Sequence, residues 1–178
     1  GFINLHFSLL PAYRGAAPAQ KALQNGEKIT GVSVFKLEKG MDTGPIYSKK
    51  SVAIEPHWRS FELLQALAQE GPSTVSDALA MISAQVAPSA QEGAASLAPK
   101  ISKQDARLNF LHDASTLVNA IRAFTYEPGA WCNWKEESFK ITAAFALDDR
   151  QLIPGVIALD GQKVIVGCAN NSAIEILT

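Results

Sequence analysis

Cysteine is scarce. The 178 residues hold two, Cys132 and Cys168, far apart and with no Cys-x-x-Cys or histidine spacing. That excludes a disulfide framework or a thiolate metal cluster and leaves both as small buried side chains. No apolar run approaches the length of a membrane-spanning helix, and no signal peptide is legible. No charge of one sign prevails, with 16 Lys and Arg against 17 Asp and Glu. What remains is an ordinary globular composition, 47% apolar and 19% charged, long enough for one domain or two small ones. A cytoplasmic setting is the expectation. An initial methionine is missing too. The chain opens at Gly1-Phe2 inside a strand-like stretch and stops at Ala173–Thr178 inside another. Strands need neighbours to pair and cover them, so the chain is expected to be a piece of a longer protein.

The patterns that are present alternate between strand and helix. Residues 29–37 are β-branched with period two, and 46–48 and 51–54 read as further extended segments. Pro18 suits the first turn of a helix that runs to about Gln24, with Asn25-Gly26 as its stop. From Trp58 the period becomes helical. Leu63, Leu64, Leu67 and Ala68 form one stripe, and Val75, Leu79, Ile82 and Val86 form another after Gly71-Pro72, both expected in the core. Residues 87–100 are rich in Ala, Ser, Pro and Gly without a period, which is the composition of a linker. Beyond it, Ser102–Asp105 resembles a capping box opening a short helical turn, and a helix is expected over 114–124. Short strands at 130–134, 139–145, 156–159, 163–167 and 173–177, with Asp160-Gly161 as a hairpin turn, suggest a small barrel.

Chemistry gathers at Asn4-Leu5-His6-Phe7-Ser8-Leu9-Leu10-Pro11. At a strand end Asn4 and His6 share a face, because side chains alternate. An amide donor beside an imidazole can act on one reacting carbonyl, and a buried pair satisfying each other's hydrogen bonds has the same residues. Arg14-Gly15 precedes a helix N-terminus. It reads either as an anchor for a carboxylate or phosphate or as a surface salt bridge. Asp42 lies between Gly40 and Gly44, where glycine permits close backbone approach to a ligand. Aspartate in such a turn is also a common Asx-turn former.

Taken together, Asn4-x-His6-x-Ser8-Leu9-Leu10-Pro11 followed by Asp42-Thr43-Gly44 resembles the folate-dependent formyltransferases. Arg14-Gly15-Ala16-Ala17-Pro18 with Gln20 resembles the members that act on aminoacyl-tRNA. So do Ser102-Lys103, Ala106–Phe110, Ile121–Phe124 and Pro128–Trp131 in the second half. The resemblance implies an α/β fold in which a partial Rossmann-like formyltransferase domain is followed by a small OB-like β-barrel. Residues 1–86 would be the C-terminal half of the catalytic domain, 87–100 the linker and 101–178 the barrel.

The implied reaction moves the formyl group of 10-formyltetrahydrofolate to the α-amino group of methionine on initiator tRNA. Asn4 and His6 would stabilise the tetrahedral oxyanion, and Asp42 would orient His6 and help take the amine's proton. Ser8, Leu9, Leu10 and Pro11 would line the folate cleft, Arg14 would bind substrate, and no metal is required. Lys and Arg do not outnumber Asp and Glu after Lys100, whereas a barrel gripping RNA phosphates is expected to be basic. The grip would then rest on placed residues such as Arg107 and Arg122, or outside this chain. Two rival readings are transfer to another amine, such as an amino-sugar nucleotide, and a non-catalytic folate- or RNA-binding piece.

Overall fold

The computed structural model describes residues 1–177. Contacts divide the chain into two compact units. One is Gly1–Ala22 with Glu27–Lys100, and the other is Leu23–Gly26 with Ile101–Thr178.

The first unit is built on β2 (Ile29–Lys36), whose β-branched residues are buried from Thr30 to Phe35. Both of its edges are paired, to β1 (Ile3–His6) and to β3 (Ile46–Ala53), in the order β1-β2-β3. A strand with neighbours on both sides can be apolar on both faces, which explains the unbroken buried run. The two extended segments expected between 46 and 54 are one strand. Both pairings are antiparallel. The unit is α/β, and it holds an antiparallel three-stranded sheet instead of a parallel strand–helix–strand crossover. The connecting helix α1 (Pro18–Gln24) is only seven residues long, and the chain turns back beside β1 instead of crossing over it.

Helix α2 (Ser60–Ser83) continues through Gly71-Pro72, which separates the two stripes read from the sequence. Gly71 packs on Leu5, whose Cδ2 would lie 2.9 Å from an added Cβ, and the Thr74 hydroxyl donates to the Glu70 carbonyl at 2.7 Å. The buried line is Ser60, Leu63, Leu67, Gly71, Thr74 and Ala78, a steady three-or-four spacing down one face. Val75 and Leu79 sit one residue further round than Thr74 and Ala78, about 100° away, and Ile82, in the last turn of the helix, is 39% exposed. The second predicted core stripe is therefore not core: Leu79 and Val86 are about half exposed, at 52% and 48%.

In the second unit Ser102 and Asp105 bond reciprocally, with Ser102 N–H donating to Asp105 Oδ2 at 2.8 Å and Asp105 N–H to Ser102 Oγ at 3.3 Å. They close a turn, and the unit's helix follows later as α3 (Ala114–Phe124). Asp113 caps it by accepting from Thr116 N–H at 2.8 Å. Leu117, Ile121 and Phe124 form its buried face.

The strands form two sheets. The first is the hairpin β4 (Trp131–Trp134) and β5 (Glu137–Lys140). The second joins β6 (Ala144–Leu147), β7 (Ile157–Asp160), β8 (Lys163–Gly167) and β9 (Ala173–Ile176) in the order β6-β9-β8-β7. The stretch expected as one strand over 139–145 is split between two partners: its first part pairs with β4, Ile141 N–H still bonding Ala130 O at 2.9 Å in that register, and its last part pairs with β9. With β6 and β7 at opposite edges and no ladder to β4-β5, the described residues form no closed barrel. The β7–β8 turn is tight, Asp160 pairing with Lys163, and its Gly161 takes φ +61°.

Candidate active site

Strand β1 delivers His6 into the first unit. The ring is 6% exposed, and Phe35 on β2 meets it edge-on at 6.3 Å. Its Nε2 lies 2.9 Å from the Tyr13 carbonyl. A carbonyl only accepts, so Nε2 carries a proton. Nδ1 faces Asp42 Oδ2 at 3.6 Å. Both ring nitrogens thus face oxygen acceptors, the carbonyl within hydrogen-bond reach and the carboxylate just beyond it. The pairing is not the His–Asn pair that the residue types alone allowed. Asn4 lies two residues back on the same strand, opposite Phe35, and is exposed.

Asp42 stands in the turn between β2 and β3 with φ +51°. Gly44 explains the Asp-x-Gly pattern, since a Cβ there would come within 1.7 Å of the Lys36 carbonyl oxygen. Only glycine lets the turn close on the end of β2, where Lys36 N–H donates to Pro45 O at 2.9 Å. The Asp42 carboxylate reaches out of its own turn and accepts from Gly15 N–H at 2.7 Å, so the local Asx-turn reading is not what the chain uses. Gly15 itself has φ +121°, with the Ala98 carbonyl 2.6 Å from where a Cβ would stand.

Ser8, Leu10 and Pro11 are buried and Leu9 is half-buried. Ser33 of β2 anchors this loop by donating Oγ–H to Ser8 O at 2.7 Å and accepting from Leu10 N–H at 3.1 Å. Arg14 does not lie free. Its Nε and Nη2 donate to Gln91 Oε1 at 3.2 and 2.7 Å. Gln91 in turn donates from Nε2 to Asp42 O at 2.7 Å and Gly44 O at 2.8 Å. Residues 87–100, read from composition as a linker, are therefore laid against the site: Arg14 N–H bonds Ser96 O at 2.8 Å and Ala98 N–H bonds Arg14 O at 2.7 Å. Tyr13, Ser33 and Gln91 are the site residues that sequence reading missed. None has a motif, and Gln91 sits in a stretch without periodicity.

A cavity of about 280 Å³ opens beside His6, lined among others by Phe7, Gly15, Ala16, Gln20 and Leu64, at the small end of ligand pockets. In the second unit Lys103 and Arg107 both lie over the Trp131 ring, at 5.4 and 5.5 Å from its centre. Arg122 is half-buried and donates to Asn119 Oδ1 at 2.9 Å, and burial lowers its pKa. Among the described residues no cluster of His, Cys, Asp and Glu is placed to hold a metal ion, and no helix is long and apolar enough to cross a membrane.

The formyl transferase family model matches residues 1–79, and that of the formyl transferase C-terminal domain matches residues 100–178. The chain belongs to the formyltransferase family. Among this family's members, the methionyl-tRNA formyltransferase of Renibacterium salmoninarum is 41% identical over 99% of this chain. The chain spans 58% of the length of that relative. Among solved formyltransferases, an N-formyltransferase from Helicobacter canadensis in complex with folinic acid and dTDP-3-aminofucose superposes with a TM-score of 0.77. It is 20% identical and is matched over 98% of this chain and 65% of its own. The methionyl-tRNA formyltransferase of Clostridium thermocellum superposes with a TM-score of 0.65 at 19% identity, over 98% of this chain and 68% of its own. These likenesses establish the formyltransferase α/β fold with a β-rich C-terminal region.

Proposed function

We propose that this chain carries the formyl-transfer centre of an enzyme that moves the formyl group of 10-formyltetrahydrofolate to the α-amino group of methionyl-initiator tRNA, for translation initiation in the cytoplasm. The observation that carries the reading is the buried His6 with Asp42 Oδ2 3.6 Å from its Nδ1, in a chain whose relatives at about 40% identity are methionyl-tRNA formyltransferases. The amine nitrogen attacks the formyl carbon, and its C=O becomes an oxyanion. The intermediate then collapses by breaking the bond to the folate nitrogen, which receives the proton that the amine gives up. Asn4 supplies N–H groups to the oxyanion, His6 supplies the Nε2–H that rests on the Tyr13 carbonyl when substrate takes that carbonyl's place, and Asp42 orients His6 and assists the proton's departure.

Ser8, Leu10 and Pro11 are buried, so folate contact at their loop falls to Leu9 and the backbone. Arg14 holds Gln91 and keeps its remaining N–H groups for a carboxylate or phosphate. In the C-terminal unit, Arg107 over Trp131 is the candidate for RNA contact, and an OB-like arrangement of its sheets would complete the expected architecture. Transfer to an amino sugar is the rival, supported by the TM-score of the sugar enzyme, while sequence identity favours the tRNA acceptor.

The test is formyl transfer from 10-formyltetrahydrofolate to charged initiator tRNA by the protein that carries this chain, compared with His6→Ala and with an amino-sugar nucleotide as acceptor. A His6→Ala variant that works at the wild-type rate sinks the site, and transfer to the sugar alone sinks the acceptor.

A further inference from the structure

We infer that Gln91 is a positioning residue for the formyl-transfer pair, one side chain that fixes the Asp42 turn and the Arg14 loop relative to each other. This rests on the reading of His6 and Asp42 as that pair. A primary amide offers two N–H groups and a carbonyl oxygen. Gln91 spends its donors on the carbonyls at both ends of the Asp42–Gly44 turn, Asp42 O at 2.7 Å and Gly44 O at 2.8 Å. Its acceptor takes two N–H groups of the Arg14 guanidinium. The two loops it joins each hold one side of the His6 environment. The Arg14 loop supplies the Tyr13 carbonyl to Nε2 and the Gly15 N–H to the carboxylate, and the other loop supplies the carboxylate itself.

Backbone pairing of the same segment supports the geometry. Ser89 exchanges both N–H···O bonds with Ile46, at 2.7 and 2.9 Å, at the far end of the Asp42 turn. Ser96 and Ala98 pair with Arg14, Ser96 Oγ accepts from Tyr13 N–H at 2.9 Å, and Ala17 N–H bonds Ala98 O at 3.0 Å. Residues 89–98 thus fasten down both loops, and Gln91 is where a single side chain touches both. No other acceptor–donor set could replace it isosterically. Glutamate has no N–H for the two carbonyls and places a like charge beside Asp42, and methionine keeps the shape with no strong donor or acceptor.

The test uses the protein that carries this chain, with Gln91→Met, Gln91→Glu and, as a control on the exposed neighbour, Glu92→Gln. Amide hydrogen exchange at Gly15 reports whether Asp42 still accepts its N–H, and exchange at Val32 and Val34 reports the stability of β2. In Gln91→Met and Gln91→Glu, Gly15 exchanges faster by about tenfold or more while Val32 and Val34 are unchanged. The turnover number falls by about tenfold with KM for either substrate held within about twofold. Glu92→Gln behaves as wild type. Unchanged Gly15 protection in Gln91→Met overturns the inference whatever the activity. So does acceleration of Gly15 and β2 together, which is general loss of stability. If the wild-type protein transfers no formyl group, the functional reading falls by itself, and Gly15 exchange, measured without substrate, still decides the positioning role.

Discussion

Tyr13 turns its backbone carbonyl onto His6 Nε2 at 2.9 Å. A main-chain atom cannot be deleted by substitution at its own position, so this contact fixes the imidazole plane independently of side-chain changes around it. The ring's other nitrogen is left to Asp42, 3.6 Å away, and the proposed chemistry turns on that second contact.

Asp42→Asn tests it. An amide oxygen can still accept from Gly15, so the loop stays in place, but the anionic partner of Nδ1 is gone. Formyl transfer is expected to fall by about a hundredfold or more, as when a group that stabilises a transition-state oxyanion is removed. The thermal unfolding midpoint should hold to within a few degrees. A rate near wild type would show that Asp42 has no part in the reaction.

Gly44→Ala acts on the frame of the same turn. The new methyl would fall 1.7 Å from the Lys36 carbonyl oxygen, which belongs to the end of the central strand and cannot swing aside like a side chain. Urea unfolding should show a loss of about 3 kcal/mol or more. Gly93, where nothing lies within 4 Å of an added Cβ but φ is +103°, should lose only about 1 kcal/mol from backbone strain when changed to alanine.

The cap of α3 gives a pH-dependent prediction. Asp113 is held below its usual value of 3.8, first by the backbone hydrogen bond from Thr116 and next by the Ser115 hydroxyl. With the folded-state value depressed, the stabilisation is complete above the unfolded carboxylate range and is lost as pH falls through the folded value. Asp113→Ala should therefore cost about 1 kcal/mol at pH 7, and the gap to wild type should close as pH falls through the depressed folded-state value. A gap that persists there would mean that the loss is not electrostatic.

Cys168 is 1% exposed, and burial pushes its thiol up to about 11. The thiolate is the reactive form, so at pH 8 Ellman's reagent should leave Cys168 untouched in the folded protein and modify it on unfolding in urea. Cys132 is only partly covered, and burial raises its thiol as well. It should react first but slowly. Rapid labelling of both would contradict the packing around β8 and β9.

Local patterns were legible wherever local forces decide. Pro18 and Gly26 bound α1, the β-branched run marks β2, and the apolar spacing of Leu117, Ile121 and Phe124 gives α3, whose Asp113 cap the sequence reading missed. Where a long-range partner decides, the sequence misleads. Val75, Leu79 and Ile82 have a valid helical spacing, yet the face that meets the sheet was set by Leu63 and Leu67 and carried on through Gly71 and Thr74. Pro72 has the look of a breaker and is tolerated inside α2. The site divides in the same way. His6 and Asp42 carry motif-bearing spacing and were identifiable. Gln91 sits among Ala, Ser and Gly and contributes through bonds to residues 47 to 77 positions away, and a linear reading holds no trace of them.

The fastening of both site loops by residues 89–98 bears on the order in which the protein is made. Asn4, His6 and Asp42 leave the ribosome before α2, and the strand-like segment that pins their loops follows after it. Contacts that far apart in the chain form late, since a long loop must close before they give any return. A nascent chain halted after α2 would thus contain each residue assigned to the chemistry and still lack the machinery. The candidate site is completed by residues near the end of its own unit, just before the chain enters Ile101 and the bulk of the second unit.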